Sequence, residues 1–514
     1  MNENEAPVAN GMSDAVRTAG GSVALAFQSA VNSVLGLVFF IFLARLISQV
    51  EMGIYASLLL AMALFQTVGP LGLPVAAARF IPKSIGEGRN DHVSTYVTSI
   101  VVVSFVSAIA LSVALSFLST SLSLFLTKSA EYGNVFALAS VAVFFNIPAA
   151  NLDAVMQGFQ DFRRLAAVRV FAQALRVAIS VVLLVMGYAL IGVVWGLIAM
   201  NVSLLFTFMY LVRSNLKMSI DSAVTSRLLK YSSPLLLANL ANFFSGQADL
   251  LVLMVVMIPV VVGVYQVAVT VSGLLGAILI TTITVTVQPV AAKRFGSSGK
   301  SGLESVLAKT SRYLIFVYVP AAFGLAALAG TAINLMAGQR YLEATTPLAV
   351  ISLVSIASAL SIIPIIGLQT VGDTASVLVA TILSAAIGTV VDVALIPGFG
   401  GLGAALGRAA LILAVLVGSV YLARSRMAVK FDLRALRESM LASTIMSIVL
   451  VAMQARFGLS AYNALLYIPT GLAIFLGAMR LQGAFQRQDM NIILEVLPPR
   501  LRWISKLVSW MVTQ

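Results

Sequence analysis

Five ionisable residues interrupt stretches of this chain that are otherwise apolar: Asp153, Arg176, Asp249, Asp392 and Arg408. A charge at the centre of a bilayer costs at least ~3 kcal/mol on insertion scales, so each of these groups should face a cavity or a partner. Carboxylates and guanidinium groups so placed can bind a charged cargo, bind and release a coupling ion, or pair with one another. Bond-making chemistry has little to work with. The chain has no cysteine, and its one histidine, His92, lies in a polar stretch. Zinc sites, disulfides, thiol nucleophiles and Ser-His-Asp catalysis are thereby excluded, and no metal or cofactor is expected.

Helical spacing sorts the polar residues into faces. Arg169, Gln173, Arg176 and Ser180 recur at i, i+4, i+7 and i+11; Asn146, Asp153 and Gln157 form a second stripe, Gln28 and Asn32 a third, and Asn239, Asn242 and Asp249 a fourth. Apolar residues fill the remaining faces, so the stripes point away from lipid and line a cleft. With a rise of ~1.5 Å per residue, Arg176 and Asp153 lie ~18 and ~14 Å from the basic edge at Arg163 and Arg164. Asp249, Asp392 and Arg408 come out ~12, ~7 and ~10 Å below the opposite ends of their spans. A purely structural reading pairs Asp153 with Arg176, and Asp249 or Asp392 with Arg408. It leaves Arg169 and one carboxylate unexplained, which favours a functional role.

The elements that must hold these residues are membrane helices. Of the 514 residues 60% are hydrophobic and 10% charged, and mean hydropathy is +1.02; a water-soluble surface cannot be built from that composition. A ruler of ~20 apolar residues per crossing gives fourteen spans. The first runs from 19 to 47, the second from 53 to 78, the eighth from 261 to 290, the eleventh and twelfth from 374 to 396 and 401 to 423, and the last from 461 to 480. Most of the 32 Lys and Arg fall in the loops after even-numbered spans and in the tails, whereas the opposite set holds Arg45, Lys128, Arg340 and Arg456. Both termini should therefore be cytoplasmic. The net charge of +13 is topology information and not a nucleic-acid footprint. Residues 1 to 18 do not read as a cleaved signal peptide.

The chain repeats itself. GIY and PVAAARF, at Gly53 to Phe80, answer GVY and PVAAKRF, at Gly263 to Phe295, and YLVR at Tyr210 answers YLAR at Tyr421. Gly196 answers Gly407. Six spans per copy is an even number, so both copies enter from the same side. The expected fold is all-α and polytopic, with two parallel six-helix lobes around a central cleft. Its parts are a cytoplasmic tail (1–18), a first lobe (19–213), a cytoplasmic linker (214–232), a second lobe (233–424), two further spans (437–480), and a tail (481–514) carrying an interfacial helix around Trp503 and Trp510. The loop QTVGDTAS at Gln369 to Ser376 lacks the basic residues of its counterpart QGFQDFRR at Gln157 to Arg164.

Three short patterns have simpler readings. GFGGLG at Gly398 follows Pro397 between two spans and reads as a hairpin turn rather than a dinucleotide site. GSSGKS at Gly296 lacks the first glycine of a phosphate loop, since Arg294 occupies that place, and reads as a flexible linker between lobes. Asn201-Val-Ser203 lies inside a span, where no glycan could be added.

The segments KYSSPLLLANLANFFSGQADLLVL at Lys230, VGVYQVA at Val262, MAGQRYLEATTPL at Met336 and ALIPGFGGLGAALG at Ala394 resemble the polysaccharide transporter family. FLARLIS with GIY at Phe42 and MQGFQDFRR at Met156 agree with them. These are oligosaccharide flippases of the O-antigen and exopolysaccharide type, in the superfamily that also holds the multidrug and toxin extrusion antiporters and the lipid II flippases. The resemblance, over residues 20 to 480, implies a non-enzymatic transporter in the inner (cytoplasmic) membrane that moves polyprenyl-pyrophosphate-linked oligosaccharide units. Such a protein works among membrane lipids and associates with polysaccharide polymerase and export machinery. The pyrophosphate calls for arginine and the sugars suit Asn, Gln and Ser, so the implied substrate-binding set is Arg176, Arg169, Gln173, Asp153, Gln28 and Asn32. Asp249, Asp392 and Arg408 form the implied coupling set for H+ or Na+. A cation-coupled multidrug antiporter is the alternative, and a membrane polymerase or ligase a more distant one.

Overall fold

In the computed structural model the described residues, 6–217 and 221–484, form helices and connecting turns, with no strand among them. Twelve of the helices are long and apolar enough to cross a membrane. The protein is a multi-pass membrane protein. The interfacial helix expected around Trp503 and Trp510 lies outside the described residues.

The chain divides into two compact units, Met1–Gly263 and Val264–Gln514. The first holds α1 (Ala6–Leu46), α2 (Gln49–Val68), α3 (Leu73–Gly86), α4 (Asn90–Thr127), α5 (Gly133–Gly158), α6 (Phe162–Val185), α7 (Ala189–Val212) and α8 (Ser222–Val256). Within it α4 packs on α5, α6 on α7 and α1, and α8 against α2, α3 and α4. The expected 1–18 tail is therefore helical from Ala6, and α8 begins at Ser222, inside the stretch read as a linker.

α9 (Pro259–Leu275) starts at the end of the first unit and runs into the second. There follow α10 (Thr281–Ala327), α11 (Ala329–Met336), α12 (Thr345–Thr370), α13 (Thr374–Ala423), α14 (Leu433–Phe457) and α15 (Ala464–Leu481). In the second unit α12 packs on α10 and α13, and α14 on α10 and α15. The fourteen expected crossings are recovered once α13 is divided at Gly400 (φ 53°, ψ −127°), which separates two helical arms at the expected hairpin. α9 and the first arm of α10 supply the eighth.

Local chemistry sets many of the boundaries. Ser48 and Glu51 form a reciprocal capping box at the start of α2, and Asp161, Asp221, Asp373 and Asp432 cap α6, α8, α13 and α14. Two expectations need correction. The second span is not continuous: α2 stops before Gly69-Pro70-Leu71-Gly72, with Leu71 (φ 53°) and Gly72 (φ 72°) left-handed, and α3 restarts with Pro74 in its first turn. The GSSGKS stretch is not a flexible linker between lobes. It lies wholly in the second unit, and Ser297 and Ser301 bond back to carbonyls of a helix interrupted only at Gly299 (φ 61°).

Candidate functional site

α1, α2, α5 and α6 bring together most of the intramembrane polar residues of the first unit. On α6 the helical rise places Arg169 ~10 Å and Arg176 ~21 Å from Phe162 along a helix ~36 Å long, so Arg176 is the deeper and sits in the body of the span.

Arg169 is neutralised in place. Its Nε and Nη2 donate to Asp153 Oδ1 and Oδ2 at 2.8 and 2.5 Å, a bidentate pair, and Nη1 reaches Gln28 Oε1 at 3.4 Å. Gln157, one turn along α5, donates to the same Asp153 Oδ2 at 2.9 Å. Gln28, from α1, is buried. The pairing of Asp153 with Arg176 considered from the sequence is therefore replaced by Asp153 with Arg169, because residue 169 is level with residue 153 and residue 176 lies two turns further on.

Arg176 has a different environment. Its guanidinium carbon stands 4.9 Å from the centroid of the Phe39 ring, beside the Tyr55 hydroxyl, and Phe39 and Tyr55 meet edge to face at 6.5 Å. Among the described residues it has no carboxylate partner, and its Nε is buried without a hydrogen-bond acceptor. A cation over a ring is worth about 0.5 to 2 kcal/mol, less than the ~3 kcal/mol or more that the charge costs at this depth. The cradle holds the guanidinium without cancelling its charge. Phe39 and Tyr55 were not in the set read from the sequence, although Tyr55 belongs to the duplicated GIY anchor.

The remaining expected residues fall into three groups. Gln173 and Asn32 are half-buried on α6 and α1, with Asn32 Oδ1 buried and without a hydrogen bond among the described residues. Asn146 leaves its stripe to donate to Asn201 Oδ1 at 3.1 Å, and Asn201 donates to the Ala142 carbonyl at 3.2 Å, a bond between α5 and α7. Asp249 is buried in the first unit, whereas Asp392 and Arg408 belong to the two arms of α13 in the second. The Asp392 carboxylate lies where a Cβ on Gly407 would stand.

The family profile described as "Polysaccharide biosynthesis protein" matches residues 42–346, well over half of the sequence. The chain belongs to that family. Among solved structures this polysaccharide biosynthesis protein is similar to the lipid II flippase MurJ in an inward closed conformation, with a TM-score of 0.74 and 15% identity over 90% of this chain and 98% of that one. It is also similar to an inward-facing multidrug resistance MATE transporter of the MOP superfamily, at TM-score 0.66 and 14% identity, over 79% and 98% of the two chains. A third likeness is to a MOP superfamily transporter from Pyrococcus furiosus, described as having a binding pocket of reversed polarity (TM-score 0.57, 14% identity, 80% and 95% covered). No curated protein matches the sequence. The fold of this family member is thus the MurJ and MATE fold, as the resemblance read from the sequence implied.

Proposed function

We propose that this protein is a flippase that carries polyprenyl-pyrophosphate-linked oligosaccharide units from the inner to the outer leaflet of the cytoplasmic membrane by alternating access, with both termini cytoplasmic. One observation supports this above the rest: Arg176, deep in α6, keeps an uncompensated positive charge in an aromatic cradle while its neighbour Arg169 is locked to Asp153. A fixed cation at that depth favours an anionic headgroup and disfavours the cationic cargo of a multidrug antiporter. In this reading Arg176 contacts the pyrophosphate, Arg169 with Asp153, Gln28 and Gln157 shapes the wall beside it, Gln173 and Asn32 add polar contacts, and the prenyl tail stays in lipid. Membership of a polysaccharide biosynthesis family fits that cargo.

Arg176→Ala should cut flipping of a labelled polyprenyl-pyrophosphate oligosaccharide in proteoliposomes at least about tenfold, the loss expected for one charge-assisted contact. Arg176→Lys should recover only part of it, since ammonium does not bind a diphosphate bidentately. Unchanged flipping by Arg176→Ala of normal abundance would sink the assignment.

Coupling to H+ or Na+ is assigned in the same reading to Asp249, Asp392 and Arg408, ionisable groups within spans, the two carboxylates buried. Asp249→Asn is expected to remove the dependence of flipping on an imposed ion gradient while leaving downhill exchange measurable. A gradient dependence equal to that of the wild type would leave these residues a structural role only.

A further inference from the structure

Where α2 breaks, the first unit contains a cavity of about 460 Å3, within the ~300–1,000 Å3 of small-molecule sites. Gln66 and Thr67, at the end of α2, line one wall, and Pro70 and Pro74 carry that wall across the break. Asn239, Asn242, Phe243 and Gln247, on one face of α8, line the other. The two walls are held together by backbone: Gly72 fits so closely that a Cβ would come within 2.5 Å of the Ser232 carbonyl oxygen, two residues before Pro234 in α8. We propose that this cavity is an uncharged subsite for the saccharide portion of the cargo. It rests on the reading of the chain as a transporter of lipid-linked saccharides and assigns the sugars a place apart from Arg176, on different helices.

Depth comes first. Gln247 is nine residues before the end of α8, about 14 Å along it, and Asn242 and Asn239 lie about 14 and 9 Å inside the other edge of the span at residue 233. Exposed amides at such a level cannot face hydrocarbon without losing hydrogen bonds worth several kcal/mol each, so they face a polar occupant. A helix interrupted by Gly and Pro inside a span is tolerated where it lines a cavity, and such interruptions mark binding sites in transporters.

The chemistry of the walls narrows the occupant. Four amides converge, and among the described residues their side chains make no hydrogen bond to the protein. Each offers both donors and an acceptor, which matches hydroxyl and acetamido groups that donate and accept in turn. Thr67 already donates to the Ala63 carbonyl at 2.7 Å, leaving its oxygen as an acceptor. Phe243, with its ring against that of Phe244 at 5.3 Å, supplies an apolar surface for the C–H face of a pyranose. Among the described residues no charged side chain lines the cavity, so a phosphate or an ammonium group would find no counter-charge there. A neutral sugar segment satisfies every wall.

The test uses the full chain and keeps the two readings apart. In detergent, saturation transfer from the wild type to the neutral probe chitotetraose should be seen, and should be lost in the near-isosteric Asn239→Leu/Asn242→Leu variant. Gln66→Leu, from the other wall, serves if that pair fails to fold. No transfer from the wild type, or equal transfer to the variants, overturns the subsite. In proteoliposomes the variants should slow flipping of an oligosaccharide-bearing polyprenyl pyrophosphate about tenfold and leave the sugar-free polyprenyl pyrophosphate within about twofold. Equal slowing of both lipids overturns the assignment to the sugars. A wild type that binds chitotetraose but flips neither lipid would retire the transport reading and leave the subsite standing.

Discussion

The two copies of the repeat meet the same sequence instruction in different ways. Between GIY and PVAAARF the first copy ends α2 and starts α3 across Gly69 to Gly72, whereas the second copy, between GVY and PVAAKRF, stays helical and passes through a π-type turn at Gly276–Ile280 into α10. The anchors explain the contrast: Gly263 follows Gly53 by 210 positions but Pro289 follows Pro74 by 215, so the second copy carries five more residues and lacks the Gly-Pro-Leu-Gly sequence. A left-handed glycine with proline two residues to either side stops a helix. Without that pair, surplus residues are absorbed by widening the helix. The amide cavity opens at the copy that breaks, with α8 as its other wall.

A second matched pair carries the charge difference. In the first copy Ser180 sits against Gly196, and in the second Asp392 sits against Gly407; in both a Cβ on the glycine would overlap the side-chain oxygen. The helix-to-helix contact is shared, and only the second copy has put a carboxylate into it. Gly407→Ala should therefore give the largest effect, of order 3 kcal/mol or more, because it displaces a buried carboxylate from its fitted place. Asp392→Ala, which removes the overlapping oxygen, should restore much of the thermal stability of Gly407→Ala in detergent. If it does not, the overlap is not the source of the loss.

Gly72→Ala ranks next. It places a side chain at φ 72°, costing ~1–2 kcal/mol by backbone strain alone, and drives it into the Ser232 carbonyl. Among the described residues the corresponding Gly276→Ala meets nothing closer than Ile280 Cδ1 at 3.8 Å, so it should be neutral or stabilising by up to ~1 kcal/mol. Equal melting shifts in the two variants would show that the break is not what separates the copies.

The smallest effect concerns the helix caps. Asp161 caps α6 and pairs with Arg164 of the same turn at 3.4 Å. Its counterpart Asp373 caps α13, where no arginine follows, and is met instead by Arg426 from the α13–α14 connection at 2.8 Å. The hydrogen bond from Arg426, then those from Ser376, hold the Asp373 carboxyl below its ordinary value of 3.8. A depressed folded-state pKa contributes stability that is full above the unfolded value and is lost as pH falls through the folded one. Arg426→Ala should remove part of that contribution and move acid unfolding of the detergent-solubilised protein to slightly higher pH. An unmoved acid limb would mean that the Asp373 cap is carried by the backbone alone.

How much of this was legible follows the same physics. Span count, duplication and the hairpin at Gly400 are written in hydropathy and glycine placement, which act locally. The break at Gly69 was also written there, in Gly-Pro-Leu-Gly-Leu-Pro, but a hydropathy ruler passes over it because every residue concerned is compatible with lipid. At the site, spacing placed Arg169 and Arg176 on one face correctly. It could not tell which of them Asp153 would take, since that depends on how α5 slides along α6. Phe39 and Tyr55 were invisible as ligands of Arg176 because aromatic residues are ordinary in a span. The charge missing from QTVGDTAS was resupplied from Arg426, fifty-three residues on, a distance no local pattern can register.

The connection between α13 and α14 bears on how the chain is made. Arg312, near the middle of α10, donates to Asp432 Oδ2 at 2.7 Å and to the Ala484 carbonyl at 3.1 Å, partners 120 and 172 residues later in the chain. Ala428 likewise donates to Glu304 across 124 residues. While synthesis has reached only α12, the Arg312 guanidinium has neither acceptor, and its long stem lets it seek the lipid headgroups. This part of α10 is thus completed by sequence from beyond α13, and a ribosome that stalls before Ala484 leaves behind a helix still marked as unfinished by one arginine without these two acceptors.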